Sequence, residues 1–225
     1  MKIKALIFDV DGTLAETEEA HRNAFNRAFG ETGLDWHWDP GLYRSLLKVS
    51  GGKERLRAFA ESRQHPVTDV LVLALHRRKT EIYTAQVATG AVPLRPGIAR
   101  LLGEARQAGL RLAIATTTTR ANVIALMAGT GIEPGWFETM ACSDDAPLKK
   151  PHPQVYETVL SRLNLPPEQC LAIEDSANGL RAAQAAGLAA IITPSLYTAG
   201  DDVSAAKAVW PDLGAVSLAM LTGEG

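Results

Sequence analysis

Four short apolar runs along the chain have the pattern of buried β-strands. They cover residues 3–10, 110–117, 170–174 and 189–193, and each is nearly continuous in aliphatic or β-branched residues. A strand of a parallel sheet that is covered on both faces has this continuous pattern, whereas a half-exposed strand alternates apolar and polar residues. The pattern therefore predicts four parallel strands.

Between the later runs, apolar residues recur at the spacing of an α-helix. Ile98, Leu101 and Ala105 lie on one predicted helix face, and residues 155–163 and 180–186 show the same spacing. Strands that alternate with helices of this length predict an α/β fold with a doubly wound parallel sheet.

The stretch from residue 17 to residue 89 interrupts this alternation. It contains no strand-like run, but it has helical spacing at His21 and Phe25 and again over residues 71–82. We therefore expect a smaller all-helical cap domain at 17–89, inserted after the first strand into a core domain of 1–16 and 90–225. Residues 93–96, with a proline at each end, are a candidate hinge. The aromatic residues expected to pack inside the insert are Phe25, Phe29, Trp36, Trp38 and Phe59.

Composition excludes several classes of protein. The chain has 225 residues, is 46% hydrophobic and 21% charged, and carries a net charge of −2 at pH 7, which argues against disorder and against binding to nucleic acid. It has no apolar run long enough for a membrane span, and its two cysteines lack metal-binding spacing. The strand-like run that starts at residue 3 leads us to expect no signal peptide. We expect a cytoplasmic monomer with no nucleic-acid or membrane partner.

Acidic residues follow two of the predicted strands at the point where each ends. Asp9 lies near the end of the first run and Asp11 directly follows it, where Gly12 permits a sharp turn, while Glu174 ends the third run and Asp175 follows it. Taken singly, each pair is typical of a solvated turn or a helix N-cap. Because the carboxyl ends of parallel strands meet at one edge of the sheet, the four carboxylates together predict one site.

Two further motifs bring other chemistry to the same edge. Threonines 116–119 end the second run and offer hydroxyl and backbone donors suited to a phosphate, and Lys149 and Lys150 precede Pro151 before a predicted helix. Alone, threonine is common in strands and a lysine pair is usually solvated. Four clustered carboxylates repel one another unless cations compensate, and a site built only from oxygen ligands favours Mg²⁺ over zinc.

In this order, the four motifs resemble those of the haloacid dehalogenase superfamily of phosphotransferases, over essentially the whole chain. The resemblance implies that Asp9 is the nucleophile that becomes an aspartyl phosphate and that Asp11 is the general acid and base. It also implies that Thr116 holds the phosphoryl oxygens and that Lys150 offsets their charge. The metal ligands implied for Mg²⁺ are Asp9, Asp175 and the backbone carbonyl of Asp11, with Glu174 orienting the metal shell.

The predicted cap carries the strongest charge imbalance of the chain. Residues 41–80 contain nine Lys/Arg and three Asp/Glu, and Arg57, Arg63 and Arg77 among them are expected to lie on a solvated helix face. The string at 50–55, Ser-Gly-Gly-Lys-Glu-Arg, differs because two glycines expose backbone N–H groups beside two cations. A phosphate cradle in the cap, opposite a reacting phosphate in the core, predicts a bisphosphate substrate.

This string, the segments at 14–22 and 35–39, and residues 76–79 resemble the CbbY family of the superfamily. Those enzymes remove the 1-phosphate of xylulose-1,5-bisphosphate, a Rubisco inhibitor, to give xylulose-5-phosphate. The resemblance implies substrate contacts from both domains, namely Glu18, His21, Tyr43, Gly51, Gly52, Lys53, Glu54, Arg55, His76, Lys79, Thr116, Thr117, Thr118, Asn122 and Lys150. The spacing of Glu18 and His21 places them on one helix face, which suits a pair that binds sugar hydroxyls.

Three alternatives stay open at this point. A β-phosphoglucomutase-like sugar phosphomutase shares every core motif, although its branch carries a different loop at the position of residues 51–55. A phosphatase for another small phosphorylated metabolite shares them too. A signalling receiver module also uses a phosphorylated aspartate, a threonine and a lysine, but it is about half this length and lacks the insert.

Overall fold

A computed structural model describes residues 2–223 of the chain, and its centre is a parallel β-sheet. In this part of the chain the strands are β1 Ala5–Phe8, β2 Arg111–Ala115, β3 Thr139–Ala141, β4 Cys170–Glu174, β5 Ala189–Ile192 and β6 Ala208–Val209. Their order in the sheet is β3-β2-β1-β4-β5-β6, and every neighbouring pair is parallel.

Helices surround this sheet and fill the insert. The α-helices are α1 Glu18–Glu31, α2 Pro40–Leu46, α3 Gly52–Ser62, α4 Asp69–Val87, α5 Ile98–Gln107, α6 Arg120–Thr130, α7 Gln154–Leu163, α8 Ala177–Ala185 and α9 Leu218–Thr222. Single 3₁₀ turns lie at Pro134–Trp136 and Pro167–Gln169. Between residues 2 and 223, no helix combines the length and apolar content that a membrane span requires.

The α/β fold with a parallel sheet is confirmed, and the four predicted strands are β1, β2, β4 and β5. The edge strands β3 and β6 were not predicted, because they have three and two residues and their side chains are partly exposed. Such strands are too short to form a run that the sequence pattern can distinguish from a loop. Helix α6 was also missed, because its start is the threonine row that looked like the end of a strand.

Alternation of side chains across the sheet explains the continuous apolar pattern. In β1, Leu6 and Phe8 point into one hydrophobic cluster, while Ala5 and Ile7 point into a second cluster on the other face. Both faces are therefore packed under helices, and both sets of alternating positions must be apolar. β1 lies at the centre, with Phe8 in register with Ile114 of β2 on one side and Ile173 of β4 on the other.

The helical insert has an aromatic cluster of its own. The predicted packing residues Phe25, Phe29, Trp36, Trp38 and Phe59 are all buried there, with edge-to-face contacts such as Phe29–Trp38 at 5.0 Å. The inner parts of α1 and α4 instead contribute Ala24 and Tyr83 to the cluster on the sheet. Division of the chain into domains at residues 17 and 89 stays a prediction.

A single arginine secures the segment that returns from the insert to the sheet. The buried guanidinium of Arg95 donates hydrogen bonds to the carbonyls of Gly12, Thr193, Pro194 and Pro211. Its Nε lies 3.2 Å from Oε1 of Glu16 in the outgoing segment. The two linking segments are thus joined to each other and to the loop after β5 by a residue within the predicted hinge at residues 93–96.

Candidate active site

A cavity of about 780 Å³ lies at the carboxyl edge of the sheet, beneath the helical insert. Its walls contain nearly all of the residues predicted from the sequence: Asp9, Asp11, Glu18, His21, Gly51, Gly52, Lys53, Glu54, Arg55, His76, Lys79, Thr116, Thr117, Thr118, Asn122, Lys150, Glu174 and Asp175. Tyr43 is the exception, because it is fully buried behind the wall. Motifs that are up to 166 residues apart (from Asp9 to Asp175) therefore face one space.

Three carboxylates form the base of the cavity. Oxygen atoms of Asp9, Glu174 and Asp175 lie within 4.8 Å of one another, and all three residues are buried. The pairing of β1 with β4 causes this proximity, since Phe8 is in register with Ile173 and the acids follow directly. The backbone N–H of Asp9 also donates to the carbonyl of Ile173 at 3.0 Å.

Lys150 supplies a positive charge inside this acidic cluster. Its Nζ donates to Asp9 Oδ1 at 2.7 Å, to Glu174 Oε1 at 2.5 Å and to the carbonyl of Ala115 at 2.9 Å. Burial disfavours the charged amine, but Asp9 and Glu174 outweigh burial and raise the pKa of Lys150 above its ordinary value. Tyr156 donates a further bond to Glu174 Oε1 at 2.6 Å.

One lysine does not balance three buried acids. Burial, reinforced by repulsion from Glu174, raises the pKa of Asp9 to about 7 despite the nearby lysine. Burial and repulsion from Asp9 and Glu174 likewise raise the pKa of Asp175 well above its usual value. A further cation beside Asp9 and Asp175 would favour the ionised form of both, and the oxygen-only donor set of the cluster fits a hard divalent ion.

Gly12 is required where the loop after β1 passes close to this cluster. Its φ of +82° lies in the left-handed region, and a Cβ at this position would lie 2.2 Å from Asp175 Oδ2. A side chain there would both strain the backbone and displace the carboxylate. The glycine of the Asp-x-Asp-Gly motif therefore permits close approach as well as the turn predicted for it.

Asp11 faces the helical insert rather than the other acids. Thr17 donates to Asp11 Oδ1 at 2.6 Å, and His21 Nε2 lies 3.0 Å from the same oxygen. Burial opposes ionisation, but the charge of His21 and the hydrogen bonds from His21 and Thr17 outweigh it, so the pKa of Asp11 lies well below its usual value. The side chain is not among the clustered carboxylates, and the metal contact through its backbone carbonyl stays a prediction.

A buried lysine extends this contact chain into α4. Lys79 Nζ lies 2.5 Å from His21 Nδ1, and the imidazole stacks on Tyr83 with ring centroids 3.9 Å apart. Burial lowers the pKa of Lys79 to about 7, although Asp11 and Glu18 partly counteract it. Asp11, His21 and Lys79 thus form a continuous chain of proton-carrying groups along one wall.

The threonine row forms the turn that leads into α6. Thr116 follows β2, its hydroxyl accepts from the N–H of Thr118 at 3.2 Å, and Thr119 caps the helix. Asn122 donates to the hydroxyl of Thr118 at 2.7 Å, while its Oδ1 is buried without a partner among the described residues. Residues 116–119 at the start of α6 line the same cavity as the acidic cluster, and their hydroxyl and N–H groups suit an anion.

The glycine-rich string of the insert forms the opposite wall. Helix α3 begins at Gly52, so the first N–H groups of the helix have no partner within it. Gly51 has a φ of +92°, and a Cβ there would lie 2.2 Å from Glu54 Oε2. His76 packs against Gly52, and burial, followed by the charges of Lys79 and Lys53, lowers the pKa of His76 to about 3.

Tyr43 supports this wall from behind. Its hydroxyl donates to Glu18 Oε2 at 2.8 Å and accepts from Arg55 Nη1 at 3.0 Å. Arg55 is buried and also donates to the carbonyls of Leu46 and Val49. Tyr43 therefore holds Glu18 and Arg55 in place. Its own side chain has no exposed surface with which to make the substrate contact that was predicted for it.

Several residues of the site were not found from the sequence. They are Thr17 beside Asp11, Tyr83 beneath His21, Tyr156 beside Glu174, Asn178 on α8 and Tyr197 in the loop after β5. Each is a single polar or aromatic residue outside the four motifs. No spacing rule distinguishes such residues from ordinary packing residues, because their roles depend on tertiary contacts.

Comparison with known proteins places this geometry in a family. A model of haloacid dehalogenase-like hydrolases matches residues 3–187. Protein CbbY of Rhodobacter capsulatus is 53% identical over 219 residues, which cover 96% of each chain. The crystal structure of an Asp-to-Asn mutant of CbbY from Rhodobacter sphaeroides in complex with xylulose-(1,5)-bisphosphate is 44% identical, with a TM-score of 0.94 over 97% of this chain and 99% of that one.

A more distant likeness concerns the fold alone. β-Phosphoglucomutase of Clostridium difficile has a TM-score of 0.82 at 22% identity, over 96% of this chain and 94% of that one. The resemblance expected from the motifs is confirmed by the family match and by the close relatives together. The chain belongs to the haloacid dehalogenase-like hydrolases and, within them, to the CbbY family.

Proposed function

We propose that this chain is a Mg²⁺-dependent phosphatase that removes the 1-phosphate of xylulose-1,5-bisphosphate and releases xylulose-5-phosphate. The observation that carries the proposal is the cavity itself, which has an acid–lysine cluster at one end and a glycine-rich cationic wall at the other. A CbbY protein bound to xylulose-(1,5)-bisphosphate supports the choice of sugar.

Asp9 is the proposed nucleophile. One of its oxygens forms a bond to phosphorus while the bond from phosphorus to the sugar oxygen breaks, which leaves an aspartyl phosphate. Lys150 holds Asp9 Oδ1 at 2.7 Å, so the carboxylate is oriented before the substrate arrives. Hydroxyl and N–H groups of residues 116–118 are positioned to receive the phosphoryl oxygens, because positioning and charge neutralisation supply most of the catalysis in phosphoryl transfer.

Asp11 is the proposed acid and base. In its acid form it donates a proton to the departing sugar oxygen, and the resulting carboxylate then accepts a proton from the water that attacks phosphorus. That attack releases inorganic phosphate and restores Asp9. Thr17 and His21 keep the pKa of Asp11 below its usual value, which favours the carboxylate form required for the second step.

Asp9, Asp175 and the backbone carbonyl of Asp11 are proposed to hold Mg²⁺, and Glu174, in the same acidic cluster, is proposed to orient the groups around the ion. When bound there, the ion supplies positive charge to the transferring phosphoryl group. The raised pKa values of Asp9 and Asp175 support the assignment, because a further cation beside these carboxylates would favour the ionised form of both.

The insert is proposed to act as a cap that binds the part of the substrate remote from the reacting phosphate. The N–H groups at the start of α3, with Lys53 and Arg55, face the distal phosphate, while Glu18 and His21 face the sugar hydroxyls. Two anion sites in one cavity favour a bisphosphate over a substrate with a single phosphate.

Phosphate release from a panel of sugar phosphates tests this function. We expect rapid release from xylulose-1,5-bisphosphate with Mg²⁺, slow release from ribulose-1,5-bisphosphate, fructose-1,6-bisphosphate and β-glucose-1-phosphate, and no release with EDTA. Equal rates for all four compounds would contradict the assigned substrate. Conversion of β-glucose-1-phosphate to glucose-6-phosphate without release of phosphate would indicate a mutase instead.

Replacing Lys53 by alanine is expected to weaken binding of the distal phosphate selectively. Lys53 lines the cavity at the start of α3. We expect KM for the bisphosphate to rise about tenfold or more, with little change in KM for p-nitrophenyl phosphate, which has no second phosphate. The matched control is Arg77→Ala, which removes an exposed cation of the same insert outside the cavity. Equal changes in KM for both substrates would show that Lys53 does not bind the distal phosphate.

A further inference from the structure

The loop between β5 and β6 reaches from the sheet into the helical insert. Tyr197 in this loop is only 9% exposed and belongs to the aromatic cluster of the insert, while it also lines the cavity. Its neighbour Leu196 has a side chain that is 67% exposed. The loop thus places one aromatic ring, and not its neighbour, between the sheet and the insert.

Tyr197 contacts two helices of the insert at once. Its ring packs edge-on against Tyr43 of α2, with centroids 5.6 Å apart and an interplanar angle of 89°. Its hydroxyl donates to Oε1 of Glu19 on α1, and Glu19 is also paired with Arg22 at 2.8 Å. The contact with α1 is therefore made to a carboxylate that is itself anchored.

These contacts are adjacent to the hydrogen bonds that shape the wall of the insert. Tyr43 joins Glu18 on α1 to Arg55 on α3 through its hydroxyl, and it has no exposed surface. Glu18 and Arg55 both line the cavity, so a shift of Tyr43 moves two groups that face the ligand. Tyr197 lies directly against Tyr43 and limits such a shift.

The other side of the loop is secured beside the acidic cluster. Thr198 donates to the carbonyl of Asp175 at 2.8 Å and lies 3.2 Å from Asp175 Oδ2. Asp201 accepts from the N–H of Ala177 at 2.8 Å, at the start of α8. The loop that carries Tyr197 is therefore anchored to the edge of the sheet through Thr198 and Asp201.

We propose that Tyr197 is a positioning residue that holds the Tyr43–Glu18–Arg55 cluster over the cavity and thereby sets the affinity for the half of the substrate remote from the reacting phosphate. The proposal rests on the bisphosphatase function, since the remote half is the part that a simple aryl phosphate lacks. Tyr197 itself takes no part in the transfer of the phosphoryl group.

Three variants separate this role from a general effect on folding. Tyr197→Ala removes the ring and the hydroxyl, Tyr197→Phe keeps the ring against Tyr43, and Leu196→Ala removes an exposed side chain of the same loop. We expect Tyr197→Ala to raise KM for xylulose-1,5-bisphosphate about tenfold while kcat and the KM for p-nitrophenyl phosphate change less than about twofold. Tyr197→Phe is expected to restore KM to within about threefold of the wild type, and Leu196→Ala to leave it unchanged.

A second measurement, without substrate, tests the positioning directly. Hydrogen exchange of the amides in α2 is expected to be faster in Tyr197→Ala than in Leu196→Ala or the wild type, because Tyr43 loses its packing partner. Unchanged exchange in α2, or equal losses of kcat/KM for both substrates, would overturn the proposal. If the wild type does not hydrolyse the bisphosphate, the proposed function fails, and the exchange of α2 alone decides whether Tyr197 holds Tyr43.

Discussion

Replacing Asp9 by asparagine is expected to reduce phosphate release to background, a loss of at least about a thousandfold, because the amide is too weak a nucleophile to form the acyl phosphate. The protein is expected to stay folded, since the amide has nearly the same shape and its backbone contact with Ile173 is unaffected. The measurement is single-turnover phosphate release with Mg²⁺, together with circular dichroism to verify the fold. Substantial residual turnover in the variant would exclude Asp9 as the nucleophile.

The same substitution is expected to change how the stability of the metal-free protein depends on pH. The Asp9 carboxyl titrates near 3.8 when exposed, but burial raises its pKa to about 7 in the folded chain. Between these values the folded state keeps a proton that the unfolded state has lost, so the free energy of unfolding falls as the pH rises from about 4 to about 7, by up to about 1.4 kcal/mol per pH unit. An asparagine side chain does not titrate in this pH range, so the variant lacks this contribution to the pH dependence of stability.

Denaturant unfolding in EDTA at pH 5 and pH 8 measures this effect. The wild type is expected to lose more stability between the two pH values than Asp9→Asn, and Mg²⁺ is expected to restore much of the loss at pH 8 by binding the ionised carboxylates. Part of the slope is expected to persist in the variant, because burial also raises the pKa of Asp175. Identical slopes in the two proteins would mean that Asp9 is already ionised when the metal is absent.

Replacing Lys150 by methionine is expected to cost both activity and stability. The buried amine donates to Asp9, Glu174 and the carbonyl of Ala115, and its removal leaves these groups without their cation. Breaking a buried ion pair from one side costs on the order of 3–5 kcal/mol, because the remaining charge is desolvated and unpaired. Phosphate release is expected to fall by at least about a hundredfold, since Asp9 also loses the group that orients it.

Lys149→Met is the matched control for stability. This adjacent lysine is half-buried, and its hydrogen bonds to described residues are long, to the carbonyls of Ser143 at 3.3 Å and Ala146 at 3.4 Å. We expect its loss to change the free energy of unfolding by less than about 1 kcal/mol. In EDTA, the deficit of Lys150→Met is expected to be larger at pH 8 than at pH 5, because protonation of the carboxyls partly replaces the missing cation. Equal destabilisation by the two substitutions would show that the buried ion pairs of Lys150 do not stabilise the folded protein more than the contacts of Lys149 do.

Much of the core and its chemistry was accessible from the sequence. Continuous apolar runs identified β1, β2, β4 and β5, and acids, threonines and lysines beyond those runs identified one edge of the sheet as the site. The rule works because parallel strands bring their carboxyl ends together whatever side chains surround them. The expected family and the α/β fold are confirmed by the family match and the close structural relative. The domain boundaries, the monomeric state and the cellular compartment stay predictions.

Only the tertiary structure shows which partners the individual side chains of the site contact, because no local sequence pattern encodes these contacts. The sequence placed Glu18 and His21 on one helix face, and only the structure shows that Glu18 is held by Tyr43 and that His21 contacts Asp11 and Lys79. The structure also places Tyr43 behind the cavity wall.

The contacts of Tyr156 with Glu174 and of Tyr197 with Tyr43 could not be predicted from the sequence either. Strand-end chemistry follows from backbone geometry, which the periodicity of a short segment determines. Contacts such as Tyr43–Tyr197 instead join side chains 154 positions apart, and they exist only because the aromatic cluster of the insert packs against a loop of the sheet.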